Sequence, residues 1–154
     1  FRGNDYPRTW AIGKEVQEQV LTPFESSVHF NFRAEMANAT WDSQFPRNGL
    51  IRLGAHQEIF SISMFHQLRC ISLIRSDIFQ LHSSNYTTAI NPLSGHCLNY
   101  LRQMVLCRAD IDLEHLTLIH IPITELQPNE HRCTNWKLIY QALLDNHRMY
   151  PNIK

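Results

Sequence analysis

The sequence predicts a small α+β domain with about three helices, short strands and a loop-rich first third, stabilised by disulfides. Three observations lead there. Apolar residues recur at helical spacing in three stretches, near residues 65–81, 95–109 and 135–147. Short alternating or apolar runs, such as 50–53 and Phe60-Ile62-Met64, read as strands. Four cysteines, Cys70, Cys97, Cys107 and Cys133, supply an even set for pairing. With 154 residues, 44% hydrophobic and 18% charged, the chain is long and apolar enough to bury one core, so residues 1–154 are read as one domain.

Residues 6–10 (Tyr-Pro-Arg-Thr-Trp) form an extended, aromatic-bearing arm, because Pro7 holds Tyr6 out of the helical region. Residues 13–20 suit a short helix that stops before Pro23. Residues 26–32 place Val28, Phe30 and Phe32 on one side, as a strand does. Pro46-Arg47-Asn48-Gly49 is a turn signal leading into a short strand at 50–53. From Phe60 to Met64 the residues alternate, and then the period lengthens to a helix whose stripe is Phe65, Leu68, Ile71 or Ser72, and Ile78. Residues 84–92 are a polar loop. Ser94 is the expected cap of the next helix, 95–109, with Leu98, Leu101 and Val105 facing the core. On that helix His96, Tyr100, Gln103 and Cys107 fall on a different face. Residues 116–121 read as a strand. The last helix, 135–147, has Asn135 as its cap, carries Trp136, Ile139, Tyr140 and Leu143 at helical spacing, and ends ahead of Pro151.

Composition excludes several functions. Lys plus Arg equals Asp plus Glu at 14 each, so no basic field invites nucleic acid. The longest apolar runs, such as 116–123, are too short to span a bilayer. Two glycosylation sequons, Asn38-Ala39-Thr40 and Asn85-Tyr86-Thr87, join the even cysteine count in pointing to the secretory pathway. The chain opens at Phe1 without Met, which reads as a trimmed ectodomain or a processed product. Gly-rich phosphate loops, Gly-x-Ser-x-Gly elbows and paired zinc-type Cys-x-x-Cys motifs are missing from the sequence.

Polar chemistry concentrates in two segments, Phe65-His66-Gln67-Leu68-Arg69-Cys70 and His96-Cys97-Leu98-Asn99-Tyr100-Leu101-Arg102-Gln103, the second followed by Cys107-Arg108-Ala109-Asp110. His66, Arg69 and Cys70 occupy i, i+3 and i+4 of one helix and so point roughly the same way. Two helices that each offer a His can meet at a shared metal, since imidazole suits copper and zinc. Two ligands rarely suffice, however, and Arg69 is a fixed cation that repels a metal ion and lowers the pKa of His66. Half-buried histidines in ordinary hydrogen bonds are the competing reading. Cys97 and Cys107 lie about 15 Å apart along one helix, beyond the roughly 7 Å a disulfide allows between Cα atoms. Pairing within the chain then leaves Cys70–Cys97 with Cys107–Cys133, or Cys70–Cys107 with Cys97–Cys133. The first set is favoured because it ties the two His/Cys segments at matching ends; four reduced core thiols are the alternative.

These segments resemble the fungal UstYa-like family, which tailors secondary metabolites, including cyclised peptides. Tyr6-Pro7-Arg8-Thr9-Trp10, Ser27-Val28-His29, the stretch from Gly49 to Gly54, and His131-Arg132-Cys133 with Trp136 match further landmarks in order, so the resemblance covers almost the whole chain. It implies a fungal source and a domain in the ER or Golgi lumen, tethered by a membrane anchor outside this chain. The family signature is a doubled His-x-x-His-Cys whose histidines hold copper for oxidation, cyclisation or halogenation. Here Arg69 stands where the second His of the first copy belongs, and Leu93 where the first His of the second copy belongs.

The favoured expectation is therefore a metal-independent cyclase built on an oxidase pocket, with a pericyclic, Diels–Alder type step as one form of the reaction. Its substrate is a small polyene, enone or peptide-derived molecule. Arg69 hydrogen-bonds a carbonyl and stabilises charge developing there. His66, His96 or Tyr100 donates a second bond or moves a proton, and shape holds a near-reactive conformer. Arg102, Gln103 and Phe65 are the candidate substrate-binding residues, although solvated surface is the default for the polar pair. No cofactor is favoured. The alternative is a copper-dependent oxidase using His66 and His96 with further ligands such as His115 or His120. A third reading is an inactive partner of an active paralogue.

Overall fold

The computed structural model describes residues 6–24, 27–30, 37–83, 89, 91–111 and 129–152. They form a mixed α+β structure with four α-helices and four short strands among the described residues. The chain divides into two compact units. One gathers Phe1–Ser26, Leu50–Phe60 and Asp112–Lys154; the other gathers Ser27–Gly49 and Ser61–Ile111.

In the first unit, β1 (Gln19–Phe24) pairs antiparallel with β4 (Asn129–Thr134), with Gln19 opposite Thr134 and Phe24 opposite Asn129. The helix expected over 13–20 is only a 3-10 turn at Lys14–Gln17, and the chain is already extended at Gln19. Pro23 lies inside β1. A two-stranded sheet leaves half of each strand's N–H groups unpaired, so it tolerates a residue with none. β2 (Leu50–Leu53) and β3 (Glu58–Ser61) make the second two-stranded sheet. The turn between them uses left-handed backbone at Gly54 and Gln57, closed by Gln57 N–H donating to the Gly54 carbonyl at 3.1 Å.

The last helix, α4 (Trp136–Met149), packs on β2. Its Asn146 acts as a surrogate strand. The side-chain oxygen accepts from Arg52 N–H at 2.9 Å, and the amide donates to the Arg52 carbonyl at 2.9 Å. Next to it, buried His147 holds the Leu50 carbonyl through Nε2 at 2.7 Å. Ile51 and Leu143 are the largest wholly buried side chains of this unit. Asn135 occupies the expected cap position of α4 but makes no side-chain cap hydrogen bond.

In the second unit, residues 28–30 form a 3-10 turn and not the strand that their alternation suggests. Ser27 diverts the backbone locally, its Oγ accepting from His29 N–H at 3.3 Å. A short α1 (Ala37–Asp42) follows, unpredicted because Asn and Thr are poor helix formers. Pro46–Gly49 is the turn its sequence signals, with Arg47, Asn48 and Gly49 all left-handed. Gly49 is required there, since at φ 65° a Cβ would overlap the side chain of Phe65.

The helix α2 (Ser63–Ser83) begins earlier than expected, taking in Met64, which alternation had assigned to a strand. The next, α3 (Pro92–Arg108), is capped by Asn91 and not by Ser94: Asn91 Oδ1 accepts from Leu93 N–H at 3.0 Å, with Pro92 at the first helical position. Ser94 is freed for another task, donating its hydroxyl to Asp77 of α2 at 2.5 Å while the same carboxylate oxygen accepts from Asn91 N–H at 3.1 Å. The face of α3 that is buried is also different. Leu98 and Val105 are 64% and 71% exposed, whereas Ser94 and Cys97 are buried. The proposed strand at 116–121, the second sequon and His115 and His120 lie outside the described residues. Among the described residues no helix is long and apolar enough to cross a membrane.

Candidate active site

The antiparallel packing of α2 and α3 is fixed by one covalent bond. Cys70 and Cys97 form a disulfide with Cα atoms 5.0 Å apart, the first bridge of the favoured pairing. The second, Cys107–Cys133, does not form. Cys107 is exposed on the last turn of α3 and Cys133 is half-buried on β4, in the other unit; both are thiols.

Because Cys70 follows His66 by one helical turn and Cys97 directly follows His96, the bridge brings the two imidazoles together. Their ring centroids are 6.3 Å apart. Tyr100, one turn beyond His96, stacks on His66 at 4.3 Å with 22° between the planes, and lies 6.5 Å from His96. Burial lowers the pKa of His66 most, and the positive forms of His96 and Arg69 lower it further. His66 is therefore a neutral imidazole near pH 7, able to accept or donate a hydrogen bond.

His66 and His96 both line a half-open cavity of about 810 Å³. Arg69 and Leu93 line it too, so all four positions of the doubled motif converge on one space. On α2 the lining follows one helical face: His66, Arg69, Leu73 and Ser76. The opposite wall comes from Asp42 and Phe45, at and just after the end of α1, and from Arg47 and Asn48 of the left-handed turn. None of these four was anticipated. The Pro-Arg-Asn-Gly signal marked the turn, but nothing local says which helix a turn will face. Conversely, the structure brings none of Arg102, Gln103 and Phe65 to the cavity wall. Arg102 is exposed and donates to Asn99 Oδ1 at 3.1 Å, Gln103 is exposed, and Phe65 is 0% exposed beneath Gly49.

The donors in the cavity make a poor metal site. Among the described residues they amount to two imidazoles and the Asp42 carboxylate, with two guanidinium groups, Arg47 and Arg69, on the same walls and the cysteines consumed in the disulfide. Among the described residues no group of three His, Cys, Asp or Glu side chains is placed to hold a metal ion, whereas stable sites use three or four protein ligands. The described residues therefore do not fit a copper centre. What they offer is two fixed cations, Arg47 and Arg69, a neutral imidazole with an aromatic backing, and apolar walls.

The profile of a family described as "Mycotoxin biosynthesis protein UstYa" matches residues 4–141. The UstYa family oxidase phomYb of Diaporthe leptostromiformis is 33% identical over 91 residues, covering 56% of this chain and 35% of that protein. The oxidase ustYa of Aspergillus flavus is 32% identical over 100 residues, 64% of this chain and 43% of that protein. The chain thus spans less than half the length of these curated relatives. No solved structure matches it. The match to the family profile spans most of the chain, including both His/Cys segments, and the chain belongs to the UstYa family of mycotoxin biosynthesis proteins.

Proposed function

We propose that this chain is a secondary-metabolite tailoring enzyme that cyclises a small unsaturated substrate without a metal. One observation carries the reading: the two positions where the family's histidines are replaced, Arg69 and Leu93, face the same cavity as His66 and His96. Their replacement changes the cavity's chemistry from ligation to cation and apolar wall. In a [4+2] closure two σ bonds form at the expense of π bonds, and no oxidant is consumed. Arg69 donates to a carbonyl conjugated with the reacting alkene, drawing electron density from it and stabilising the negative charge that builds on oxygen. Neutral His66 donates or accepts a second hydrogen bond, its ring held against Tyr100. Phe45, Leu73 and Leu93 fold the chain of the substrate into a reactive conformer.

A second reading, a copper-dependent oxidase, is favoured by the names of both curated relatives, which are oxidases. It requires ligands beyond His66 and His96, such as His115 or His120. Metal analysis of protein purified without chelator, followed by copper titration, separates the two. Sub-stoichiometric copper together with cyclisation by the metal-free protein supports the first reading; one tightly bound copper per chain that is needed for turnover overturns it. The double replacement Arg69→His with Leu93→His should create copper affinity, since both positions share the cavity with the two histidines. Residence in the secretory lumen is part of the same proposal, resting on Asn38-Ala39-Thr40 and on the Cys70–Cys97 bridge.

A further inference from the structure

We infer that the cavity takes an anionic substrate, whose delocalised oxyanion, a carboxylate or an enolised 1,3-dicarbonyl, is held by Arg47 and Arg69. The inference rests on the reading of this cavity as the substrate site and adds the substrate's charge. Three observations support it. Among the described residues, two guanidinium groups from separate elements, the left-handed turn and α2, line the cavity together with one carboxylate, Asp42. The remaining walls include Phe45, Leu73 and Leu93, which thin the water that would otherwise screen those charges. Arg47 sits at φ 48° and ψ 43°, a left-handed conformation that glycine or asparagine adopts at less cost. A residue kept in strained backbone with its side chain on a cavity wall is a mark of binding. A planar oxyanion with two acceptor oxygens matches the forked donors of guanidinium in a way a neutral ketone or ester does not.

The test uses matched probes at pH 7 and low salt, followed by ligand-observed NMR. Sorbate is compared with methyl sorbate, and dimedone, an enolate at that pH, with its O-methyl enol ether. Arg69→Gln suits a helix and Arg47→Asn suits left-handed backbone, so both variants should keep the wild-type circular dichroism. At least one anion should bind roughly tenfold tighter than its neutral partner, and each variant should erase most of that tenfold preference for the charged probe. Which anion wins tells carboxylate from enolate. Equal binding of charged and neutral probes, an anion preference unaltered in both variants, or failure of both anions to bind overturns the inference. Selective anion binding without cyclisation of any polyene would remove the proposed reaction and leave this assignment standing. Equal turnover of an acid and its ester would do the reverse.

Discussion

Removing the bridge between α2 and α3 should cost this protein a large part of its stability. Cys70 and Cys97 are 27 residues apart, and closing a loop of that length restricts the unfolded chain by about 3.5 kcal/mol in the chain-entropy description. The perturbation is Cys70→Ala with Cys97→Ala, made in a background where Cys107 and Cys133 are serine so that no thiol can shuffle. Both bridged cysteines are buried, so the small voids left by the sulfurs add to the loss. With a urea m-value of about 2 kcal/mol/M, the midpoint should fall by about 1.7 M at unchanged slope. Circular dichroism against urea reads it directly, and the bridged protein treated with reductant should show a comparable shift. A fall of less than about 0.5 M would mean that the bridge constrains neither state as argued, and that the Asp77 contacts alone hold the two helices.

Those contacts make their own prediction: Asp77→Ala, which strands Ser94 and Asn91 N–H, should destabilise by about 1–3 kcal/mol in the same urea assay, and Asp77→Asn by less. Asn146→Ala should cost about 2 kcal/mol and speed hydrogen exchange at the Arg52 amide, which loses its acceptor. Gly49→Ala should cost more than about 2 kcal/mol, or prevent folding, because left-handed backbone and overlap with Phe65 act together. His66 should titrate below 6.5 by NMR, and Arg69→Gln should raise its midpoint without restoring 6.5, because burial is the larger cause. The sign for stability follows. Below 6.5 the unfolded chain binds the proton first, so the contribution of His66 is intact above 6.5 and is lost as pH falls through the lower folded value. Replacement by Gln should flatten that part of the pH–stability curve.

The helical part of this architecture was legible because its signals are local. α2 and α4 carry apolar spacing over many turns, and Pro46-Arg47-Asn48-Gly49 announces its own turn. β1 and β4 were missed because their pairing joins distant segments, and their residues alternate too weakly to reveal it: Leu21 and Phe24 are exposed although apolar. The stripe on α3 was misassigned for a related reason. Cys97 and Ser94 are small, yet they face α2 because a disulfide and a carboxylate hold them there, overriding the pull of Leu98 and Val105. Of the cavity, His66, Arg69 and His96 could be paired from sequence by the cysteines beside them. Arg47 could not, since its place in the wall depends on where a turn twenty or more residues upstream of Arg69 comes to rest.

The interleaved segments of the two units also set an order of events during synthesis. Every residue of the cavity lies between Asp42 and Cys97, within the unit that is complete once Ile111 has emerged from the ribosome. Most of its contacts join neighbouring helices, which close quickly. β1 must wait for β4, a partner more than a hundred residues later, and Arg52 must wait for Asn146. β1 thus stays unpaired while the unit that holds the cavity matures, so chaperone dependence should track the long-range sheet and not the pocket.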